Sequence, residues 1–324
     1  MSSPQALVRN PDGTLSLIEQ KPDPSKEPLP ADHFLLRILH ASINPSDMLH
    51  AHGLYPDSPK TGIAGFDALA EIVKAPEAHK ALEHRKVAVL TYSGVYCTYK
   101  VVKRDEFFLL DEKADLEAFK VSYSLNAITA VGLVERVKEL GAKGVVQNGA
   151  ASNVGQILTG LLKREGIQVV DVIRHDKNTA RLKKLGADEV LLTTDKDYEH
   201  KLVEAIKKHN VSVAIDCVAS EEAGVLFNNL PDGGTLINYG LLSGKPLSGL
   251  NAVKFMFKKC KAEGYHLLNT YLCSKPPGYG EKVMNEYFLN PIHVEHNVQH
   301  IPLANVKEAI EKYTNKDCKY VVDI

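Results

Sequence analysis

The sequence has 324 residues, of which 44% are hydrophobic and 24% are charged, and its formal net charge at pH 7 is -1. The length suits two domains of roughly 100–200 residues each, and the near-neutral charge argues against broad attraction to nucleic acid or to an anionic membrane. No apolar run approaches the ~20 residues that cross a bilayer, and the start, MSSPQALVRNPDG, carries no signal-peptide or transit-peptide pattern. We therefore expect a cytoplasmic protein that acts on a small molecule.

The first 120 or so residues have a β-rich pattern. Apolar and β-branched runs at 33–43, 68–73, 86–92 and 95–102 are separated by proline and glycine. Because helical patterns hardly occur in this part, it is predicted to form a compact, barrel-like β domain.

From about residue 121 strands and helices alternate with short connections. Helical spacing over 124–141 stops at Gly141. The following strands, which are almost wholly apolar, are expected at 143–148, 167–173, 188–193, 211–218 and 234–240, with helices at 153–165, 176–185, 197–209 and 221–229. This pattern is typical of a parallel sheet covered on both faces, so a doubly wound domain is predicted over 122–268.

The end of the chain returns to short strands around one predicted helix at 303–313. It is expected to complete the first domain, which would then comprise 1–121 plus 269–324. The stretch SKPPGYGE (274–281) is interpreted as a turn-rich connector.

The stretch VVQNGAASNVGQIL (145–158) predicts a nucleotide site. A turn from strand to helix at the carboxyl edge of a parallel sheet offers free N–H groups and a partial positive charge to a pyrophosphate. The expected contacts are Asn148, Gly149, Ser152, Asn153, Val154 and Gly155. The strict GxGxxG pattern is not met, because Asn153 stands where glycine would be easiest, and an ordinary tight turn stays the alternative.

The next strand indicates which dinucleotide would bind. NAD sites place an acidic residue about 20 residues beyond the glycines, whereas IQVVDVI leads into Arg174, His175, Asp176 and Lys177. A guanidinium pairs well with a 2′-phosphate, so Arg174, His175 and Lys177 favour NADP(H). Asp176 is the competing residue, and a solvated loop cation is the alternative for Arg174.

Six stretches, by their order and spacing over nearly the whole chain, resemble the zinc-independent medium-chain dehydrogenase/reductases. They are INPSDMLHAHGLYP (43–56), GFDALAEIV (65–73), NAITAVGLVERV (126–137), QNGAASNVGQ (147–156), 172–191 and 214–240. The 2-enoyl thioester reductases are the nearest group and the quinone oxidoreductases the second. The resemblance implies a Rossmann domain inserted into a GroES-like β-barrel domain, a cofactor cleft between them, homodimers, and hydride transfer from NADPH to an electron-poor C=C or a quinone.

The resemblance also implies roles for individual residues. Tyr55 matches the catalytic tyrosine of the enoyl thioester reductases, which donates a proton, although in quinone reductases a tyrosine only lines the nicotinamide. Asn44 matches a position near the ribose and substrate, or else caps a turn with Pro45. Further cofactor contacts are implied for Thr129, Cys217, Val218, Tyr239, Gly240, Leu241 and Lys319, and substrate-pocket positions for Tyr92 and Tyr265.

No metal site is expected. Where zinc-dependent relatives carry a cysteine and a GHE triplet, this chain has Asn44 and Gly65-Phe66-Asp67, and the five cysteines are scattered without a CxxC pair. The patch His293, His296 and His300 is interpreted as surface histidines. Departures from the family at 74–76 and 84–89 leave a third function open, that of a nucleotide-binding protein without significant turnover.

Overall fold

The computed structural model describes residues 3–56, 59–91, 94–312 and 318–324. It divides into two compact units: a β unit (Met1–Leu125, Gly280–Pro291 and His296–Ile324) and an αβ unit (Asn126–Tyr279 and Ile292–Glu295). The αβ unit is therefore an insertion in the sequence of the β unit.

The borders of the units differ from the predicted 122–268. The αβ unit begins at Asn126 and extends to Tyr279, because Lys275 Nζ lies 2.9 Å from Glu135 Oε2 and Tyr279 donates a hydrogen bond to the same carboxylate. Residues Ile292–Glu295 also belong to it, since Glu295 N donates to Gln156 Oε1 at 3.2 Å.

The strands and helices of the described residues are as follows. The strands are β1 (Gln5–Arg9), β2 (Leu15–Glu19), β3 (Phe34–Ser42), β4 (Gly62–Ile63), β5 (Asp67–Lys74), β6 (Lys86–Leu90), β7 (Tyr99–Val102), β8 (Phe108–Leu109), β9 (Gly144–Gln147), β10 (Gln168–Ile173), β11 (Glu189–Leu192), β12 (Val211–Asp216), β13 (Thr235–Asn238), β14 (Lys261–Gly264), β15 (Asn297–Pro302) and β16 (Cys318–Asp323). The α-helices are α1 (Pro45–Ala51), α2 (Leu116–Glu139), α3 (Asn153–Arg164), α4 (Thr179–Leu185), α5 (Tyr198–Lys208), α6 (Ser220–Asn229), α7 (Ala252–Lys258), α8 (Tyr279–Leu289) and α9 (Val306–Glu311). Among these residues, no helix combines the length and apolar character that a membrane span requires.

The β unit contains two sheets that share one core. The larger sheet has the order β15-β16-β3-β5-β6-β8, with β7 also paired to β3, and the smaller has the order β2-β1-β4. All pairs are antiparallel except β15–β16. Both sheets contribute to a single buried cluster that includes Leu7, Leu36, Ile38, Ala68, Val89, Tyr96, Val306 and Val322. The apolar and β-branched runs of β3, β5 and β6 explain why the β-rich part was recognisable in the sequence.

The αβ unit contains a six-stranded parallel sheet in the order β11-β10-β9-β12-β13-β14. Every residue of β9 is buried, and so are five of the six residues of β10 and of β12. Counted from β9, the spatial order is 3-2-1-4-5-6. Successive strands are added to one side of β9 up to β11 and to the other side from β12, so the strand order reverses between β9 and β12. Ligands of such sheets bind at this topological switch point, beyond the carboxyl ends of the strands.

Three local features differ from the sequence prediction. Helix α2 begins at Leu116 rather than at 124 and is broken at Tyr123, whose φ of 53° and ψ of 172° are not helical. The connector predicted at 274–281 contains the start of α8, and α7 and β14 were not predicted. The break in α2 is stabilised by burial, because the Tyr123 ring is fully buried and its hydroxyl donates to Ala41 O at 3.1 Å.

The turn at 84–89, which departs from the related reductases, still has a glycine-like backbone. His84 has φ +67°, and its N–H donates to Ile72 O at 2.8 Å. A non-glycine residue rarely takes this conformation, although histidine is among those that tolerate it best. The changed sequence therefore retains a tight turn into β6.

Candidate functional site

The turn after β9 has the geometry of an anion-binding helix start. Gly149 has φ +59°, which glycine adopts without strain, and a Cβ at this position would fall on Cys217 Sγ. Ser152 caps α3 by accepting a hydrogen bond from the Gly155 N–H at 3.1 Å. A Cβ at Gly155 would come within 2.6 Å of Ala150 O, so only glycine allows this packing. The positive end of a twelve-residue helix is thus presented at the switch point.

The residues beside this turn have more specific positions than the sequence indicated. Asn153 and Val154 are the first helical residues of α3, so Asn153 does not need a glycine-like backbone. Asn148 Nδ2 donates to Asp216 Oδ1 at 2.5 Å, and Asn148 Oδ1 accepts from Cys217 N at 2.9 Å. The Asn148 side chain thereby joins the ends of β9 and β12, and its role as a cofactor contact stays a prediction.

The end of β10 lies next to the same turn and is cationic. Ala150 N donates to Val172 O at 3.4 Å, which joins the turn to β10, and Arg174, His175 and Lys177 are exposed immediately beyond this strand. Asp176, the competing acid, accepts a hydrogen bond from Thr179 Oγ1 at 2.8 Å. The carboxylate that could have favoured NAD is therefore engaged at the start of α4.

The ends of β12 and β13 complete this edge of the sheet. They carry the predicted cofactor residues Cys217, Val218, Tyr239, Gly240 and Leu241. A Cβ at Gly240 would come within 2.7 Å of Cys217 O, and Ser243 N donates to Val218 O at 3.0 Å, so the two loops are tightly packed. Cys217 and Tyr239 side chains point inward, and burial raises the pKa of the Cys217 thiol to about 12.

Three other predicted residues have different outcomes. Thr129 is buried on α2, one turn before Gly132, and a Cβ at Gly132 would fall on Tyr265 Oη, so the face of α2 that carries Thr129 packs against Tyr265. Among the residues that the structure describes, the buried Tyr265 hydroxyl oxygen has no hydrogen-bond partner. Tyr92 lies outside the described residues. The substrate-pocket roles of Tyr265 and Tyr92 stay predictions.

A buried polar network that was not predicted holds α3 on the sheet. Gln147 Nε2 lies 2.8 Å from Asp171 Oδ1 and 3.0 Å from Gly155 O, and Thr159 Oγ1 lies 2.9 Å from Asp171 Oδ2. Burial raises the pKa of Asp171 to about 7, against the opposing hydrogen bonds from Gln147 and Thr159. The signal available in the sequence was a polar residue inside each of two otherwise apolar strands.

The β unit contains a buried ionisable cluster around Asn44. Lys319 Nζ donates to Asn44 Oδ1 at 2.7 Å and to Ile43 O at 3.4 Å, and it lies 5.3 Å from the centroid of the Tyr123 ring. Asn44 Nδ2 donates to Ser42 Oγ at 2.7 Å. Asn44 also precedes the first residue of α1, and its N–H donates to Asp47 Oδ2 at 2.8 Å, which supports the turn-capping alternative. Its role near the ribose and substrate stays a prediction. Lys319, predicted as a cofactor contact, is directed at Asn44.

Two buried carboxyl groups surround this lysine. Burial raises the pKa of both Asp47 and Asp67 to about 7, while the nearby Lys319 ammonium acts in the opposite direction. Burial lowers the pKa of Lys319 to about 8, and the two aspartates oppose that change. Asp67 Oδ2 also accepts a hydrogen bond from Leu125 N at 2.6 Å. Burial in one dry environment thus brings the pKa values of three ionisable groups close to neutral pH.

Tyr55 lies on the loop that follows α1 and is partly exposed. Its ring centroid is 5.0 Å from that of Phe66, the residue before Asp67. Arg9 of β1, which the sequence did not single out, donates to Ala51 O at 3.4 Å and also to Lys60 O, and a Cβ at Gly53 would come within 2.7 Å of Arg9 Nη2. One guanidinium therefore fixes both ends of the loop that carries Tyr55.

Comparison with known proteins agrees with this geometry. Residues 153–275 match the family described as zinc-binding dehydrogenase. The mitochondrial enoyl-[acyl-carrier-protein] reductase of Arabidopsis thaliana is 27% identical over 268 residues, which cover 80% of this chain and 69% of the relative. The NADPH quinone oxidoreductase of Kluyveromyces marxianus is 26% identical over 256 residues, which cover 71% of this chain and 67% of the relative.

Solved structures extend the similarity to the whole chain. The 2-enoyl thioester reductase of Candida tropicalis has been solved as an Etr1p/Etr2p heterodimer, and Etr1p as a complex with NADP and crotonyl-CoA. Each structure has 20% sequence identity and a TM-score of 0.82, with all of both chains covered.

The predicted fold and resemblance are confirmed by these findings. The fold is that of the medium-chain dehydrogenase/reductases, with a doubly wound parallel sheet inserted into a β domain. Among proteins of this fold, the chain is similar to enoyl thioester reductases and quinone oxidoreductases, and the comparisons support an oxidoreductase.

Asp171 makes stability depend on pH. Because its pKa is about 7 in the fold and 3.8 in its ordinary state, the folded chain binds a proton more tightly than the unfolded chain, and stability falls as pH rises from about 4 to about 7. Asp171→Asn is neutral at every pH. We therefore compare the difference in melting temperature between Asp171→Asn and wild type at two pH values. By differential scanning calorimetry, we expect this difference to be several degrees more positive at pH 8 than at pH 5.

Asp188→Asn is the matched control. The pKa of Asp188 is lowered, with burial opposing the hydrogen bonds from Val169 N–H and Lys163, so this carboxylate is ionised at both pH values. Its substitution should change the melting temperature equally at pH 5 and pH 8. An equal change for Asp171→Asn would show that Asp171 is ionised in the fold throughout this range.

Proposed function

We propose that the protein is an NADPH-dependent reductase that transfers hydride to a C=C bond conjugated with a carbonyl group, as in an enoyl thioester, an enone or an alkenal. The observation that carries this proposal is the edge of the αβ unit, where α3 begins at a small-residue turn beside the cationic end of β10. The similarity to an enoyl reductase over 80% of the chain supports the class of reaction.

The residues at this edge fit a dinucleotide that carries a 2′-phosphate. The amide end of α3 would hold the diphosphate, since the turn from Gly149 to Ser152 leaves the backbone accessible to an anion. Arg174 and Lys177 would hold the 2′-phosphate, because both are exposed cations at the end of β10. Asp176, the competing acid, already accepts one hydrogen bond from Thr179 Oγ1.

The side chains of the β unit supply the rest of the chemistry. NADPH supplies a hydride, which adds to the β-carbon while the electron pair of the C=C bond moves toward the carbonyl oxygen. The resulting enolate must take a proton at its α-carbon. We assign that proton to the phenol of Tyr55, because a phenol can act as a weak general acid when it is positioned beside the carbon. Asn44 is held in one orientation by Ser42 and Lys319 and positions the ribose and the substrate.

We propose that this reaction is independent of zinc. The position of a ligand cysteine in zinc-dependent relatives is taken by Asn44, whose side-chain oxygen already accepts a hydrogen bond from Lys319 at 2.7 Å. An ammonium group at that distance would repel a divalent cation. Incubation with a chelator should therefore leave turnover unchanged.

A quinone oxidoreductase is the second candidate. The similarity to the quinone oxidoreductase of Kluyveromyces marxianus has nearly the same identity as the similarity to the plant enoyl reductase, 26% against 27%. One assay of NADPH consumption with crotonyl-CoA, an alkenal, an enone, and para- and ortho-quinones separates the two. Tight NADPH binding without turnover of any substrate would support the third function, a nucleotide-binding protein. The expected cytoplasmic location stays a prediction, which microscopy of the tagged chain would test.

We further propose that the chain forms a homodimer through α7 and β14. Val253, Met256 and Phe257 lie on one face of α7, and Met256 and Phe257 are 72% and 69% exposed. Within the described part of the chain, β14 pairs on one side only, with β13. An apolar helix face beside an open strand edge is a surface that a second copy would cover.

Arg174→Ala tests the cofactor assignment. A guanidinium bound to a phosphate contributes about 10- to 100-fold in affinity, so we expect the Kd for NADPH to rise by that factor while the Kd for NADH is unchanged, by fluorescence titration. Lys184→Ala, which removes an exposed cation paired with Glu295, is the control and should alter neither constant. Unchanged NADPH affinity in Arg174→Ala would rule out the assigned phosphate contact.

Tyr55→Phe tests the proton donor. The ring keeps its contact with Phe66 but loses the acidic hydroxyl, so we expect kcat for crotonyl-CoA reduction to fall by about 10²-fold or more. Quinone reduction, which needs no carbon protonation, should be retained. Tyr99→Phe on β7 is the control with unchanged kcat. Full enoyl turnover in Tyr55→Phe would disprove the assigned role.

Phe257→Glu tests the dimer. A carboxylate placed in an apolar interface is costly, so the variant should elute as a monomer in size-exclusion chromatography with light scattering, whereas wild type should elute as a dimer. Leu289→Glu, at a 49% exposed leucine of the β unit, is the control and should remain dimeric. A dimeric Phe257→Glu variant would place the interface elsewhere.

A further inference from the structure

Three metal-ligating side chains meet on the larger sheet of the β unit. His40 lies on β3, His300 on β15 and Asp323 on β16, and these strands are neighbours in the order β15-β16-β3. The backbone register places Asp323 directly opposite His40. The three residues come from distant parts of the sequence, and His40 and Asp323 are 283 positions apart. The meeting is therefore a product of the fold, and the predicted patch of His293, His296 and His300 does not describe it.

The ligand atoms of these side chains converge on one point. His40 Nδ1 lies 2.9 Å from Asp323 Oδ1, and His300 Nδ1 lies 2.9 Å from Oδ1 and 3.2 Å from Oδ2 of the same carboxylate. One ligand atom from each residue lies within 4.8 Å of the other two. A tetrahedral zinc ion with bonds of about 2.0–2.1 Å needs ligand atoms roughly 3.3 Å apart. The distances from the two imidazole nitrogens to the Asp323 carboxylate, 2.9–3.2 Å, are slightly shorter than that spacing, and the ligand atoms of all three residues lie within 4.8 Å of one another.

We propose that His40, His300 and Asp323 form a binding site for Zn²⁺ or a similar first-row divalent ion. Two imidazole nitrogens and one carboxylate oxygen are ligands that zinc accepts, whereas Mg²⁺ and Ca²⁺ prefer oxygen alone. All three side chains are partly solvent-accessible, so water can complete the coordination.

The proposed ion would act as a structural link. It would join β3, near the start of the β unit, to β15 and β16, which the last part of the chain supplies. Because an ion that binds only the folded chain stabilises it in proportion to the logarithm of its concentration above Kd, zinc should raise the melting temperature. The proposed site shares no residue with the Asn44 cluster. The proposal does not rest on the reductase function.

Zinc titration of the untagged, chelator-treated full chain tests the site. Isothermal titration calorimetry with ZnCl₂ should show one site per chain, and calorimetric melting should show an increase of a few degrees at saturating zinc. In both His40→Ala and His300→Ala the affinity should fall by at least about tenfold, and the zinc-dependent increase in melting temperature should disappear. Co²⁺ should give the visible absorption of a low-symmetry nitrogen and oxygen site in wild type and lose it in both variants.

The chain has 13 histidines, so the control must exclude unspecific binding. His33→Ala serves this purpose, because His33 pairs with Asp32 at 2.7 Å but has no second imidazole in that pair. It should bind zinc as wild type does. The proposal is overturned if the His40→Ala/His300→Ala double variant binds zinc with wild-type affinity, or if His33→Ala weakens binding as much. Melting in chelator shows whether each variant is folded, so a folding defect is distinguished from the loss of a ligand.

Discussion

The buried ammonium group of Lys319 is the constraint on which the β unit depends. Removing a charge from water costs several kcal/mol unless hydrogen bonds and opposite charges compensate, and here the compensation comes from Asn44, the Ile43 carbonyl, the Tyr123 ring and two buried aspartates. These partners come from the connection between β3 and α1, from α1, from β5 and from the break in α2, so β16 has a single favourable position against them. The same lysine fixes the orientation of Asn44.

The fold was largely predictable because burial on two faces leaves a local trace. The strands at 143–148, 167–173 and 211–218 are mostly apolar since helices cover both sides of the sheet, and the structure confirms them as β9, β10 and β12. Much of the site was not predictable, because its contacts join residues that are distant in sequence. Arg9 reaches Ala51, Lys319 reaches Asn44, and His40 reaches Asp323, and no periodic pattern records such pairs. The break at Tyr123 was not predicted for another reason, because tertiary packing overrides the helical preference of the neighbouring residues.

The family match and the metal question concern different parts of the chain. The match to zinc-binding dehydrogenases covers 153–275, which lies within the αβ unit, whereas Asn44, Asp67 and Lys319 belong to the β unit. The similarity therefore supports the fold of the αβ unit and does not extend to the residues of the β unit where a metal site would be considered. The proposed zinc link at His40, His300 and Asp323 is likewise a property of the β unit, and its ligands are separate from those of the Asn44 cluster.

The buried thiol of Cys217 has a consequence for how the protein withstands its own chemistry. Quinones, enones and alkenals are electrophiles that alkylate thiolates, and a reductase of such compounds meets them at high local concentration. Burial raises the pKa of Cys217 to about 12, which leaves almost no thiolate at the edge of the sheet, beneath Gly149. Cys273 is exposed and takes no part in that edge. Under the proposed function, an electrophilic substrate would therefore alkylate the exposed Cys273 sulfur more readily than the buried Cys217 sulfur beside the nucleotide turn.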